Sequence, residues 1–144
     1  MDRALLVYRD FTLDDAGAVV GLWHECGLTR PWNDPHQDIA RKMTDRNGAF
    51  WVVENDHGII ASVMIGYDGH RGTINYLAVT PTAQEQGIGG ELMRRAEFYL
   101  IDLGCPKVSF CVRKDNLPVL SFYDRLGYGI DDVHFLGKRL IPDD

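Results

Sequence analysis

Residues 74–103 constrain this chain more than any other stretch. An apolar run, Ile74-Asn75-Tyr76-Leu77-Ala78-Val79, reads as a strand, and Pro81 follows its end. A polar turn leads into Gly87, Gly89 and Gly90, and a long helical pattern begins at once. Strand, glycine-rich turn and helix form a natural anion holder. The first four N–H groups of a helix have no partner inside it, and the helix dipole adds partial positive charge there. Glycines remove the Cβ atoms that would keep a phosphate at a distance. The spacing is neither common nucleotide pattern. A P-loop needs Lys-Ser/Thr after its last glycine, and here Gly90-Glu91 follows. A dinucleotide fingerprint needs G-x-G-x-x-G, which Gly87-x-Gly89-Gly90 does not provide. On these residues alone two readings stay open, an anion cradle and a turn that lets a helix pack tightly on a sheet.

The chain of 144 residues has the length of one domain, residues 1–144, and is long enough to bury a core without disulfides or metal. Its formal charge of −6 argues against a nucleic-acid partner, whose binding domain normally carries a basic excess. No run approaches the ~20 apolar residues of a membrane span, and the N-terminus shows no signal-peptide pattern. The three cysteines, Cys26, Cys105 and Cys111, lack C-x-x-C spacing. The apolar surroundings of Cys105 and Cys111 predict buried thiols, no metal site is expected, and a reducing cytoplasm fits. Oligomeric state is left open, with a homodimer admitted.

Leu5, Val7 and Tyr8 predict a short first strand. Thr12 and Asp15 form a capping box, and Val19, Leu22, Trp23 and Cys26 then share one helix face, with Gly27 as the stop. In residues 29–35, Pro31 and Pro35 forbid regular structure and leave Trp32 as either a core plug or part of a ligand wall. A second helix is expected over residues 35–46, with Ile39 and Met43 paired at i, i+4. Strands over residues 50–54, 59–67 and 73–80 make a meander. The turn of residues 67–72 holds Asp68, His70 and Arg71, groups able to bind or accept protons on a scaffold-held loop. Met93, Ala96, Leu100 and Leu103 mark the apolar face of the long helix, which Gly104 closes. A strand over residues 108–112, a short helix over 117–126 and one or two strands over 128–130 and 134–140 complete the chain. The order is β-α-α-β-β-β-α-β-α-β, with one further strand admitted. It implies an α/β (α+β) fold with a mixed, mostly antiparallel sheet and helices on both faces.

Two separate motifs carry a family resemblance. Gln84-Glu85-Gln86-Gly87-Ile88-Gly89 resembles the Q/R-x-x-G-x-G/A signature of the GCN5-related N-acetyltransferases, the GNAT family. Leu120 to Tyr128, with Phe122-Tyr123 and Gly127-Tyr128, is similar to the A-x-x-F-Y-x-x-x-G-F/Y motif of the same family, and Asn116 precedes it. The element order is also that of the family, so the resemblance covers nearly the whole chain. Residues 30–35, 66–72 and 136–140 look like a bacterial subgroup, the YpeA-type acetyltransferases.

The resemblance implies acetyl-CoA as co-substrate and direct transfer of its acetyl group to a primary amine. It implies that Leu77, Ala78 and Val79 bond the pantetheine arm through their backbone. Gln84, Glu85, Gln86, Gly87, Ile88, Gly89 and Gly90 would wrap the pyrophosphate, and Asn116 would reach the cofactor arm. Tyr123 would both line the cofactor site and protonate the leaving thiolate. One departure stands out: many members carry Arg-Gly where this chain has Gln84-Glu85, so Glu85 brings negative charge near the phosphates. No base is evident on the 73–80 strand, because Asn75 cannot accept a proton at neutral pH and Tyr76 titrates too high. Glu54, Asp68 and His70 remain, with Asp68 and His70 chosen as the acceptor-site residues. A non-catalytic acyl-CoA-binding module is the alternative of a different class.

Overall fold

The structure, a computed structural model, describes residues 5–143. Four antiparallel strands lie in sequence order: β1 (Val7–Asp10), β2 (Ala49–Asn55), β3 (Gly58–Tyr67) and β4 (Gly72–Val79). Helices α1 (Ala16–Glu25) and α2 (Pro35–Lys42) cover one face. Helices α3 (Ile88–Asp102) and α4 (Leu117–Arg125) cover the other. The expected mixed α/β class with helices on both faces is what forms.

Strand alternation explains the two cores. Successive side chains point to opposite faces of a sheet. Val53, Ala61, Val63 and Ile65 therefore meet Leu92, Met93 and Ala96 of α3, and Phe50, Val52 and Met64 meet Val19, Leu22 and Trp23 of α1. β3 is covered on both faces, hence its nearly unbroken apolar run. Thr12 and Asp15 form the expected capping box: the Thr12 N–H donates to Asp15 Oδ2 at 2.9 Å. The same carboxylate receives the Arg9 guanidinium at 2.8 and 2.9 Å, tying β1 to the start of the helix.

One irregularity in β4 shapes the rest. Ser62 pairs with Ala78, but Met64 pairs with Asn75, so the register slips by one residue at Tyr76. Tyr76 has φ 53°, in the left-handed region that bulky residues avoid. A residue held there needs local support, and three contacts supply it. The Trp23 indole N–H donates to Ser62 Oγ at 2.9 Å, Ser62 Oγ donates to the Tyr76 carbonyl at 2.8 Å, and the Trp23 and Tyr76 rings stack at 3.7 Å.

The bulge also ends the sheet. Gly72 donates to the Lys107 carbonyl at 2.8 Å and accepts from the Ser109 N–H at 2.9 Å, giving one parallel bridge between Gly72 and Val108. Beyond it, residues 108–112 follow β4 with no further ladder. A bulged strand bends and twists, which accounts for a bridge where a full strand was expected. Residues 128–130 and 134–140 form no strand; Tyr128 is half-buried, and residues 129–130 and 134–140 lie exposed. α2 stops at Lys42, because its polar sequence offers only Ile39 to the core, while Met43 is exposed. Trp32 is 56% exposed and is therefore no core plug. The cysteines also differ from expectation: Cys26 and Cys105 are half-buried, Cys111 is exposed, and all three are free thiols. No described helix is long and apolar enough to cross a membrane.

Ser62→Ala tests the clasp. It strands the Trp23 N–H and the Tyr76 carbonyl in a buried place, and such losses cost ~1–3 kcal/mol each. Urea unfolding should show a stability loss of that order. An unchanged midpoint would mean that the bulge needs no such support.

Candidate active site

The end of β4 is an open sheet edge. Thr80 donates to the Ile60 carbonyl at 2.8 Å, so Ala61 and Val79 form a non-hydrogen-bonded pair. The backbone groups of Val79, and of Leu77 two residues earlier, consequently point away from β3. The Val79 carbonyl accepts from Gln84 Nε2 at 2.9 Å and from Cys26 Sγ at 3.3 Å. The Val79 N–H meets no acceptor among the described residues. An outward edge with free N–H groups can take an extended ligand as it would take another strand.

The turn that follows is built to expose backbone N–H groups. After a short 3₁₀ turn (Pro81–Ala83), Glu85 takes φ 66° and Gly87 takes φ 83°. Gly87 is the N-cap of α3 and has no side chain to satisfy the first N–H groups, so those of Ile88, Gly89 and Gly90 stay open at the positive end of a 15-residue helix. Left-handed residues next to helical ones curve the backbone into an anion-binding concavity. Glu91, in the first turn, pairs with Arg95 at 2.8 Å and with Arg94, which offsets its charge. Glu85 has no such partner among the described residues.

Gly89 joins three elements. A Cβ there would lie 3.2 Å from Phe122 Cζ and 3.7 Å from Val79 Cγ2. The end of β4, the first turn of α3 and helix α4 thus meet at one point. Gly89 thus serves close packing, while Gly87 leaves the first N–H groups of α3 without a side-chain cap. Tyr123, next to Phe122, is 8% exposed, with its ring against Phe110, Phe122 and Tyr128. Its hydroxyl donates to no described residue, yet it is not sealed from solvent. Burial alone pushes this phenol well above its ordinary value, so it keeps its proton at neutral pH. Asn116 is the N-cap of α4, but its side chain makes no capping bond and remains available.

Asp68 and His70 do not join this group. They sit beyond Gly72, the opposite end of β4, which lies seven residue steps from Val79, or roughly 20 Å at ~3.3 Å per residue. Asp68 Oδ1 accepts the N–H groups of His70 and Arg71, each at 2.8 Å. Those bonds hold its carboxylate below the usual range and make it a builder of the turn. The pair thus lies apart from the β4–α3 junction, and one oxygen of Asp68 is engaged within its own turn. Glu54, the third candidate, is engaged by Arg9 at 2.8 Å.

A different carboxylate lies closer. The Tyr76 hydroxyl donates to Asp38 Oδ2 at 2.6 Å, and Asn33 Nδ2 donates to the same oxygen at 3.1 Å. Burial first, and Asp38 second, hold the Tyr76 phenol far above its ordinary value. Tyr76 is three residues from Val79. Beside Asp38, an open groove of ~600 Å³ is lined by Trp32, Arg41, Lys138, Arg139, Leu140 and Ile141. Sequence reasoning missed Asp38 because it is one of several polar residues on a mostly polar helix. It missed the orientation of Tyr76 because the bulge reverses the strand alternation there. No metal-holding cluster of His, Cys, Asp or Glu occurs among the described residues.

Comparison with known proteins gives the class. The acetyltransferase (GNAT) family model matches residues 17–128. A protein of Pectobacterium atrosepticum described as an acetyltransferase is 48% identical over 135 residues, covering 94% of this chain and 96% of its own length. The chain belongs to the GNAT family and is an acetyltransferase of that family. Solved structures share the fold. The aminoglycoside acetyltransferase AAC(6')-Iy, in complex with a bisubstrate analog of CoA and acetylneamine, has TM-score 0.77 at 15% identity, with 95% of this chain and 100% of that chain covered. The ribosomal-protein-S18-alanine N-acetyltransferase of Escherichia coli has TM-score 0.73 at 19% identity, covering 85% and 77%.

Glu85→Gly probes the loop. Glycine accepts the positive φ at this position, and the substitution removes a negative charge beside a helix N-terminus. Repulsion between an exposed carboxylate and a phosphate charge ~4 Å away is worth about 1 kcal/mol in water, so acetyl-CoA should bind up to roughly fivefold more tightly by calorimetry. Equal affinity would place Glu85 away from the phosphates.

Proposed function

We propose that this protein transfers the acetyl group of acetyl-CoA directly to a primary amine, through one N-acetyltransferase domain spanning residues 1–144. One observation carries the reading: the free edge of β4, the open N-terminus of α3 and helix α4, which bears the protonated Tyr123, meet around Gly89, where a Cβ would lie 3.2 Å from Phe122 and 3.7 Å from Val79.

The pantetheine arm lies along β4 at Leu77, Ala78 and Val79, as an added strand would, and bonds the outward groups of Leu77 and Val79. The pyrophosphate rests on the turn of Gln84, Glu85, Gln86, Gly87, Ile88, Gly89 and Gly90, and Asn116 reaches the arm from the start of α4. The amine nitrogen attacks the thioester carbonyl carbon. Negative charge develops on the carbonyl oxygen, where the Val79 N–H can donate. The C–S bond then breaks. A thiolate with a pKa near ~8.5 is a better leaving group when an acid meets it, and Tyr123 gives up its proton there. The amine must lose a proton in turn. Asp38, reached through the Tyr76 end of β4, is the carboxylate placed to take it, directly or through water.

The AAC(6')-Iy complex supports an amine acceptor, because that protein is seen with a CoA–acetylneamine bisubstrate analog. Acceptor choice falls to the side bounded by Trp32, Asp38 and Tyr76. The class includes small amines, amino acids and protein amines. A cytoplasmic setting and the YpeA-type subgroup belong to the same reading, which involves no nucleic acid, membrane or metal.

The direct test is an acceptor panel with acetyl-CoA, reading CoA thiol release and acetylated product together. Product with any amine separates the enzyme from an acyl-CoA-binding module, and tight binding with no transfer across the panel would favour the module. Tyr123→Phe then isolates one step. It keeps the ring and removes the acid, so kcat should fall by roughly 10²–10⁴-fold, with acetyl-CoA affinity nearly intact. Unchanged kcat, once chemistry is shown to limit the rate, would leave Tyr123 as a wall of the channel.

A further inference from the structure

The groove beside Asp38 is basic in an acidic chain. The formal charge is −6, yet Arg41, Lys138 and Arg139 all line this one groove. It already holds a carboxylate. Asp143, its side chain 1% exposed, accepts from Arg41 Nη2 at 2.7 Å and from the Asp34 N–H at 2.9 Å, with Arg139 Nη1 at 3.8 Å. Arg41 first, and the Asp34 N–H second, hold that carboxylate below its usual range. Arg139 is engaged again by Asn33 Oδ1 at 2.6 Å. Lys138 stands apart from this network. It is exposed on the groove and has no ion-pair partner among the described residues.

We propose that the acceptor is a small amine that also carries a carboxylate, of the amino-acid class, and that Lys138 receives this carboxylate while Asp38 takes the amine. The inference rests on the acceptor-side reading above and names the substrate class of that site. Asp38 Oδ1 and Arg41 Nη1 lie 3.4 Å apart, and the groove's cations continue outward from Arg41. A negative group beside a positive cluster is the complement of a zwitterion's two charges. Asp143 takes up the charge-assisted bonds that Arg41 can offer. Lys138 is therefore the cation left over for a ligand. Trp32, 56% exposed, and the Leu140 and Ile141 side chains add an apolar wall for the rest of the acceptor. An acceptor with several ammonium groups would set them against Arg41, Lys138 and Arg139, and such like-charge contacts select against it.

The exposure of Lys138 adds a dependence on salt. A positive groove on a negative chain gathers anionic groups locally, and exposed charges are screened as ionic strength rises. Binding of a carboxylate-bearing amine should weaken with added salt more than binding of the same amine without the carboxylate.

Binding tests the proposal without reference to turnover. Trp32 borders the groove, so its emission reports occupancy, and Trp32→Phe identifies its share among the three tryptophans. Phenylalanine and leucine should bind at least fivefold more tightly than phenylalaninamide and leucinamide, which keep the amine and side chain and lose the carboxylate charge. Attraction between unit charges ~4 Å apart is worth roughly that factor even in water. Lys138→Glu turns the attraction into repulsion. It should lower the preference for acid over amide by at least tenfold, with acetyl-CoA affinity and the far-ultraviolet circular dichroism spectrum unchanged. No response to either acid, equal binding of acid and amide, or a preference that survives Lys138→Glu would overturn the proposal. If no amine is acetylated while the preference for acids and its loss in Lys138→Glu both hold, acetyl transfer fails and the carboxylate seat stands.

Discussion

The site depends on one strained residue. Tyr76 stands in a backbone conformation that bulky residues avoid, and the Trp23–Ser62 clasp holds it there. The register slip at this point has three effects. It turns the Tyr76 ring onto Trp23 and sends its hydroxyl to Asp38. It parts β4 from residues 108–112 after a single bridge. It leaves the outward groups of Leu77 and Val79 without a strand. A regular β4 would bond along its whole length to the next segment, and the gap would close.

Around that gap the chain divides its labour. In the function we propose, the sheet edge supplies direction, the start of α3 supplies positive potential, and α4 supplies the proton donor Tyr123. Gly89 lets these three approach, since a Cβ there would press on Phe122. Glu85 is the discordant member. Its side chain carries negative charge into the turn proposed to hold the pyrophosphate, and its backbone takes a conformation suited to glycine. Local sequence and local geometry disagree at this one position, which makes it the natural place to alter affinity without touching the chemistry.

Much of this was legible in the sequence. The apolar run into a glycine turn located the β4–α3 junction, and helical periodicity located the face of α1 carrying Val19, Leu22 and Trp23. Two motifs carry the resemblance to the family whose model matches residues 17–128. The rest was hidden for physical reasons. A bulge leaves no mark in an apolar run, so the reversal at Tyr76 could not be read. Asp38 becomes notable only when Tyr76 reaches it across the fold. Asp68 and His70 looked chemical because polar groups cluster there, yet that cluster satisfies the turn's own N–H groups. Residues 108–112 and 134–140 have strand-like patterning, yet the first makes a single bridge and the second makes none, because strand propensity forms a ladder only where a neighbouring strand is in register.

Amide hydrogen exchange measured with and without acetyl-CoA asks directly whether the parted edge holds the cofactor. The Val79 amide, and the amides of Ile88, Gly89 and Gly90, should exchange more slowly with acetyl-CoA bound, because each gains an acceptor. The Ala78 amide, already bonded across to β3, and the Gly72 amide, already bonded to Lys107, should change little. Protection that bypasses Val79 and the start of α3 would contradict the account.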